Sequence, residues 1–433
     1  MRELEQLSEL ILREAKAQGA ESAQCVVKEK ETHEFNVDGG QFSLMRTLFD
    51  RSVRLTVLKG ARKGTISVNS FADDAVRRAV ADCIASAESA EPDEAWEFDG
   101  EPRSESFTDG AAACDTEALF ARTKELTDDI AARHPKILIE QLIAEHAAER
   151  AVYRNSSGVV SRRTSGRYAF SLIYSGHEGE KSTSFFYGDV ILGSLGRPFI
   201  DCALVERELS AVERQLDPVP LRGKFTGTVV LAPSALNELV LSTIYGSFVR
   251  DSCLIDGTSI WKDKLGEQVA DPRFSLSFRP CAEDVVAGER WTDEGYRAAD
   301  CDLIRGGKLV AFALSQYGAN KTGGVRAGCD SWNPHIPAGD KTLDEIIAGI
   351  ERGVLVMRFS GGQPASSGEF SGVAKNSFLI ENGALAGALS ETMISGCIPD
   401  MLRSLRDISS DVLREGTSCL PYIAFDGVTV SGK

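Results

Sequence analysis

The spacing of apolar and polar positions divides the chain into alternating helical and extended segments. Leu4, Leu7, Ile11 and Ala15 fall on one face of a helix over residues 3–18, with Gly19 placed for a left-handed cap. From 22 to 69 the period becomes two, as in Val53, Leu55 and Val57. Asp38-Gly39-Gly40 and Lys59-Gly60 supply turns, so the segment predicts an antiparallel meander. Helical spacing returns over 72–89 through Val76, Ala79, Val80, Cys83 and Ile84, and Asp73 and Asp74 suit the positive end of that helix. The acidic stretch 91–115, with Pro92 and Pro102, keeps no period and predicts a long, mobile surface connection. A helix over 117–133 is expected to bury Leu119, Phe120, Leu126 and Ile130. Strands follow over 136–188, where Ile137, Ile139, Gln141 and Ile143 alternate. Val205, Leu209, Val212 and Leu216 predict a helix over 202–216, and Asp217-Pro218-Val219-Pro220 ends it. That Pro-containing stop is the expected boundary between an N-terminal region, 1–220, and a C-terminal one, 221–433.

Beyond the boundary the chain turns to short extended runs punctuated by Gly306-Gly307, Gly323-Gly324 and Gly361-Gly362. Glu381-Asn382-Gly383 fits a hairpin with a type I′ turn. Helical spacing is confined to 233–250, 343–351 and 400–412. The expected fold is α+β, with antiparallel sheets and packing helices in the N-terminal half and a β-rich C-terminal half.

The most informative segment is 233–250, PSALNELVLSTIYGSFVR, which follows the strand-like run Thr228-Val229-Val230-Leu231. Leu236, Leu239, Val240, Ile244 and Phe248 give it a face to bury, and Pro233 suits its first turn. A strand running into a buried helix is a common platform for two zinc-binding histidines one turn apart. Here the corresponding positions read Ser242, Thr243, Tyr245 and Gly246, none of them a zinc ligand of the usual kind. If this helix lies at an active centre, it does so without a metal.

At 433 residues the chain has ample material for two or three cores. Its 42% hydrophobic and 26% charged residues are those of a globular protein, and no apolar run approaches the about 20 residues that span a bilayer. The charged start, MRELEQLSEL, is not that of a secretory signal, so a cytoplasmic location is expected. A net charge of −16 argues against binding nucleic acid. The ten cysteines come no closer in sequence than Cys281 and Cys301, with no CxxC spacing, and read as scattered thiols. His33, His134, His146, His177 and His335 form no pair at helical ligand spacing.

Several short matches compete with plainer readings. Ser259-Ile-Trp-Lys262 has the SxxK form and Lys321-Thr322-Gly323 the KTG form of penicillin-recognising enzymes, yet Ser259 follows Asp256-Gly257-Thr258 in a turn instead of opening a helix. His177-Glu178 is half of a zinc motif and reads better as a solvated turn. Gly361-Gly362 lacks the lysine of a phosphate loop. The carboxylate pairs Asp251 and Asp256, Glu283 and Asp284, and Asp293 and Glu294 look by spacing like acidic surface. No catalytic, cofactor-binding or metal-binding residue is therefore assigned.

Three longer blocks carry a family resemblance: TGTVVLAPSALNELV at 226–240, DEGYRAADCDLIRGGKLVAFALSQYGANKTG at 293–323, and GEFSGVAKNSFLIENGALAGALSETMISG at 368–396. In order and spacing they resemble the TldD/PmbA (TldD/TldE) family, often labelled modulators of DNA gyrase. In that family the TldD-type subunit carries HExxxH on the helix after the VVL-type strand and, with a late cysteine, binds zinc. Cys419 lies near that late position, but its surroundings, EGTSCLPYIAF, depart from the pattern and no metal role is transferred to it. The helix without histidine resembles the PmbA/TldE-type subunit. The resemblance implies an α+β N-terminal part, a barrel-like β-rich C-terminal part, and a non-zinc subunit of a cytoplasmic metallopeptidase complex acting on unfolded or leader-type peptides. It implies zinc only in a TldD-type partner, with which this chain forms a heterodimer. The alternative is a standalone peptide-binding or scaffolding homodimer without catalysis. Neither reading involves nucleic acid or membrane.

Overall fold

The computed structural model describes residues 1–390 and 392–432. In the N-terminal half, α1 (Arg2–Ala17) is followed by β1 (Ser22–Asp38), β2 (Gln41–Lys59), β3 (Arg62–Val68), α2 (Asp73–Ser89), β4 (Arg103–Gly110), α3 (Thr116–Arg133), β5 (Ile137–Asn155) and β6 (Val159–Glu178). The strands lie in the order β3-β2-β1-β5-β6-β4, antiparallel except for β4 against β6. The expected cap forms: Gly19 takes φ +93°, and the amides of Gly19 and Ala20 donate to Lys16 O and Ala15 O. α1 and α2 bury Leu4, Leu7, Ile11, Val76, Val80 and Cys83 against one face of the sheet. α2 comes so close to β3 that any Cβ on Gly64 would collide with Cys83 O, so glycine is required by the approach of the backbones.

Part of the expected connection 91–115 is ordered sheet. Arg103–Gly110 pairs in parallel with β6, from Arg103 opposite Val159 to Gly110 opposite Gly166. Polar alternation hid the strand, because its side chains alternate between half-buried and exposed and leave no apolar stripe. The residues before it are held too, Asp93 by Tyr317 and Lys321 and Ala95 O by Asn320. Phe120, expected inside, is 43% exposed and stacks near Phe42 at 4.8 Å, on the outer flank of α3.

α4 (Val205–Arg214) precedes the Pro-containing stop. The C-terminal half is β-rich: with Val219–Pro220 its strands form one mixed sheet, 14-stranded among the described residues. Asn382 and Gly383 take φ +49° and +78°, as a type I′ hairpin requires. The helix expected over 400–412 is a short one, Ile398–Arg403, followed by the strand Leu405–Arg414 against Cys419–Ser431. Ser404 ends the helix by donating its hydroxyl to Asp400 O, and the later alternation belongs to the sheet. One core bridges the two halves: Phe35, Leu142, Phe170 and Val205 pack in the same cluster as Val230, Leu355, Phe378 and Tyr422.

The strand Lys224–Leu231 runs parallel to Arg352–Val356 and feeds the central helix, 233–249. Leu236, Leu239, Val240, Ile244 and Phe248 on that helix are fully buried, as their spacing predicts. Two segments of it, Leu236–Leu241 and Ile244–Val249, have the wide turns of a π-helix. Ser242 and Thr243 sit between them and return their hydroxyls to Glu238 O and Leu239 O.

Candidate functional site

The side of the central helix away from the core carries the positions of chemical interest. Ser242 and Gly246 are exposed, Tyr245 is half-buried, and a Cβ on Gly246 would meet nothing within 4 Å. Thr243 instead faces inward, buried. Hydroxyls already bonded to backbone carbonyls and a glycine offer no thiolate, imidazole or carboxylate to zinc, so this face does not fit the ion. His335 and Cys419 stand side by side in neighbouring parallel strands. Burial, then nearby Arg279, holds the His335 imidazole below its ordinary value, and burial pushes the Cys419 thiol up. That pair has no third ligand: among the described residues no group of three or more His, Cys, Asp or Glu is arranged to hold a metal ion.

The short motifs resolve into structural roles. Ser259 is buried, donates its hydroxyl to Phe248 O at 2.6 Å and accepts from the Trp261 amide at 3.0 Å, so its proton is committed to the backbone and not to Lys262. Lys321 is ion-paired with Asp93 at 3.1 Å. His177 and Glu178 end β6 in an exposed turn, with Glu178 2.8 Å from Lys136 Nζ. Gly361 lies in the strand Arg358–Gly361 opposite Gly372. Asp251 accepts from the amide and hydroxyl of Ser315, Asp256 caps a turn beside it, and Asp284 pairs with Arg414 at 3.6 Å while Glu283 is exposed.

Only the pair Asp293 and Glu294 leads to a cleft. A cavity of about 500 Å³ opens between the N-terminal sheet and the C-terminal loop 288–293, with Gln24, Arg54, Glu289 and Trp291 in its walls. The loop is tied down across the halves. Gln24 donates to Asp293 O at 2.8 Å, Arg163 to Gly288 O at 3.0 Å, and Asp109 holds both Arg163 and Arg290. Burial raises the Asp109 carboxyl, but the two guanidiniums outweigh it and keep the group below the usual range.

Beside this cleft three carboxyl groups are pushed the other way. Glu294 is 8% exposed with Oε2 unpartnered, and burial together with Asp330 pushes it up to about 7. Glu289 accepts from the amides of Asp330 and Ser331 at 3.0 and 3.1 Å, yet burial and Asp330 raise it to about 7 as well. Burial also raises Asp330, which accepts from the Asp293 amide at 2.7 Å. Carboxyls poised near neutrality can donate a hydrogen bond to a carbonyl when protonated and accept one from an amide when ionised. Sequence spacing pairs Asp293 with Glu294, and the fold gives them different surroundings: Asp293 is exposed and 3.5 Å from Arg54, while Glu294 is buried and feels Asp330 more strongly than Asp293. Neither Glu289 nor Asp330 carries a motif that would have singled it out.

A second cleft of about 380 Å³ lies at the start of the central helix, lined by Tyr187, Asp189, Asn237, Glu238, Arg358 and Glu415. Glu238 grips Arg358 through both Nε and Nη2, at 3.0 and 2.7 Å, and accepts from the Phe359 amide at 2.8 Å. Burial, then Glu415, pushes neighbouring Glu208 up to about 7.

Residues 223–432 match the PmbA/TldA metallopeptidase C-terminal domain. A Haemophilus influenzae protein named metalloprotease PmbA homolog is 24% identical over 418 residues, 89% of this chain and 86% of the relative. Along its length the chain is similar to the PmbA/TldD family, and its C-terminal half carries that family's domain. TldD homologues of this family also match, one of them, from Saccharolobus solfataricus, named a zinc metalloprotease. The crystal structure of TldE from Thermococcus kodakarensis superposes with a TM-score of 0.84 at 20% identity, covering 98% of this chain and all of that one. A Bacteroides thetaiotaomicron protein named for modulation of DNA gyrase gives 0.84 at 22% identity over 99% of both chains. These two structures share the α+β architecture described above. No helix among the described residues is long and apolar enough to cross a membrane.

Proposed function

We propose that this chain is the non-zinc subunit of a TldD/TldE-like cytoplasmic peptidase complex that acts on unfolded or leader-type peptides, with the zinc held by a TldD-type partner. The observation that carries the reading is the helix after the VVL-type strand, where PmbA/TldD relatives of the TldD type place HExxxH. Here it presents Ser242, Tyr245 and Gly246 on an open face. Hydrolysis of a peptide bond at neutral pH needs an acidified water, a base and a Lewis acid for the developing oxyanion, and those belong to the partner. This chain's part is to bind and orient. An extended peptide satisfies its amides and carbonyls against strand edges and paired polar groups, and the cleft walled by Gln24, Arg54 and Trp291 offers it the Glu289 carboxyl.

The test is to mix the purified chain with a HExxxH-bearing homologue from the same genome and follow cleavage of an unstructured peptide. A partner fully active alone, unaffected by this chain, would overturn the reading. A standalone peptide-binding or scaffolding homodimer is the second reading, and the exposed apolar side chains of β2, Met45 and Phe49 among them, favour self-association.

A further inference from the structure

In a chain of net charge −16, the cleft under the loop 288–293 is lined by four cations, Lys28, Arg54, Arg163 and Arg290. Two of them share one carboxylate, since Asp109 accepts from both Arg163 and Arg290. The other two are held loosely. Arg54 stands 3.5 Å from Asp293 and Lys28 3.8 Å from Glu149, and neither side chain donates a hydrogen bond among the described residues. Asp109, Asp293 and Glu149 thus answer three of the four cations and leave one that only Glu289 opposes, a carboxyl that burial and Asp330 raise to about 7. The free donors lie close together. Arg54 stands opposite Val26 of β1 and Ser67 of β3, and Ser52, two residues earlier on the same face, stands opposite Lys28. Facing them, the loop contributes Trp291, half-buried with its ring 6.2 Å from that of Tyr153 and otherwise open to the cleft.

We propose that this cleft binds the C-terminal residue of a peptide, its carboxylate on Arg54 and Lys28 and its apolar side chain between Val26 and Trp291. The inference rests on the peptide-binding reading above and names the part of the peptide that the cleft takes. Charge and shape select it. A guanidinium with all its donors free is a planar fork that matches a carboxylate in two parallel hydrogen bonds. A carboxylate also brings one negative charge, the amount the cleft leaves unanswered. An internal peptide segment brings none and leaves Arg54 and Lys28 as they are, while a phosphate dianion brings more and meets Glu149 and Asp293. A volume of about 500 Å³ lies in the range of small-ligand sites and suits a chain end, not a folded segment. The walls are set beforehand, because Gln24 holds Asp293 O and Arg163 holds Gly288 O, so little ordering accompanies binding. Asp293 is the internal competitor: its carboxylate is 73% exposed and occupies the side of Arg54 that the peptide's carboxylate takes.

The experiment is calorimetric titration of the full chain alone with an N-acetylated tripeptide ending in leucine, as the free acid and as the C-terminal amide. The free acid is expected to bind with a Kd of about 1 mM or tighter, and the amide about tenfold more weakly, having lost the charge-assisted pair. Arg54→Gln, a change at an exposed side chain, should bring the acid down to the level of the amide and leave the amide unchanged. Trp291→Ala should weaken both. Asp293→Asn removes the competitor and should tighten the acid about threefold without affecting the amide, a gain that damage to the fold cannot produce. Inorganic phosphate should not displace the peptide. No binding of the acid at that concentration, equal binding of acid and amide, an affinity indifferent to Arg54→Gln or Trp291→Ala, or displacement by phosphate would overturn the proposal. Equal binding of acid and amide removes this inference and leaves the peptide-binding reading in place. The zinc-bearing relative is absent from the titration, so a failure of the mixed subunits to cleave bears on the subunit reading and not on this one.

Discussion

Replacing Glu294 by Gln removes one titrating carboxyl while keeping its shape. In the folded chain burial and Asp330 raise this group from an ordinary value near 4.5 to about 7. The folded state therefore binds more protons than the unfolded chain between those values, and the group's contribution to stability is lost as pH rises through that window. A rise from 4.5 to about 7 at ~1.4 kcal/mol per pH unit is worth about 3.5 kcal/mol, an upper figure because Asp330 titrates with it. His146 and His335 work against this slope, since burial lowers both and they lose stability as pH falls. They are common to both proteins and cancel in the difference. The assay is denaturant unfolding of wild type and Glu294→Gln at pH 5 and pH 8. The variant's stability relative to wild type should rise by about 2 to 3 kcal/mol from the lower to the higher pH. A difference independent of pH, or one that shrinks as pH rises, would show that Glu294 ionises freely and refute the buried carboxyl cluster.

Glu238→Gln should cost about 2 kcal/mol, because it strips charge from three hydrogen bonds to Arg358 and the Phe359 amide in a partly buried setting; chemical unfolding measures it. Gly64→Val should cost at least about 2 kcal/mol, read as a lowered melting temperature, since its side chain must force α2 off β3. Metal-replete protein should hold no stoichiometric zinc by elemental analysis. About one zinc per chain, lost in His335→Ala or Cys419→Ser, would show that the neighbouring pair is completed by a ligand from elsewhere.

Where apolar residues recur strongly, the sequence predicts the structure. The faces of α1, α2 and the central helix, the cap at Gly19 and the Asn382-Gly383 hairpin follow from spacing and turn chemistry alone. Elements held by backbone pairing with polar side chains escape it. Arg103–Gly110 reads RSESFTDG and gives no apolar signal, although the ladder to β6 orders it fully. Leu402, Leu405, Ile408 and Val412 recur at helical steps, yet Leu405–Arg414 is a strand, because irregularities in its ladder to Cys419–Ser431 break the alternation that would mark it. Phe120 fits the helical stripe of α3 but lies past the edge of what the sheet covers. For the site, residue identity rules out zinc on the central helix directly. The acid cluster was invisible because Glu289, Glu294 and Asp330 converge through loops, whose paths no periodicity describes.

The most direct test of the central claim is turnover of an unstructured peptide by this chain, by a HExxxH-bearing relative from the same genome, and by the two together. The account predicts no cleavage by this chain alone, and chelator-sensitive cleavage by the mixture that exceeds the relative's own. Chelator-insensitive cleavage by this chain alone, abolished by Ser259→Ala, would contradict it and restore to Ser259 the nucleophilic role that its bond to Phe248 O denies.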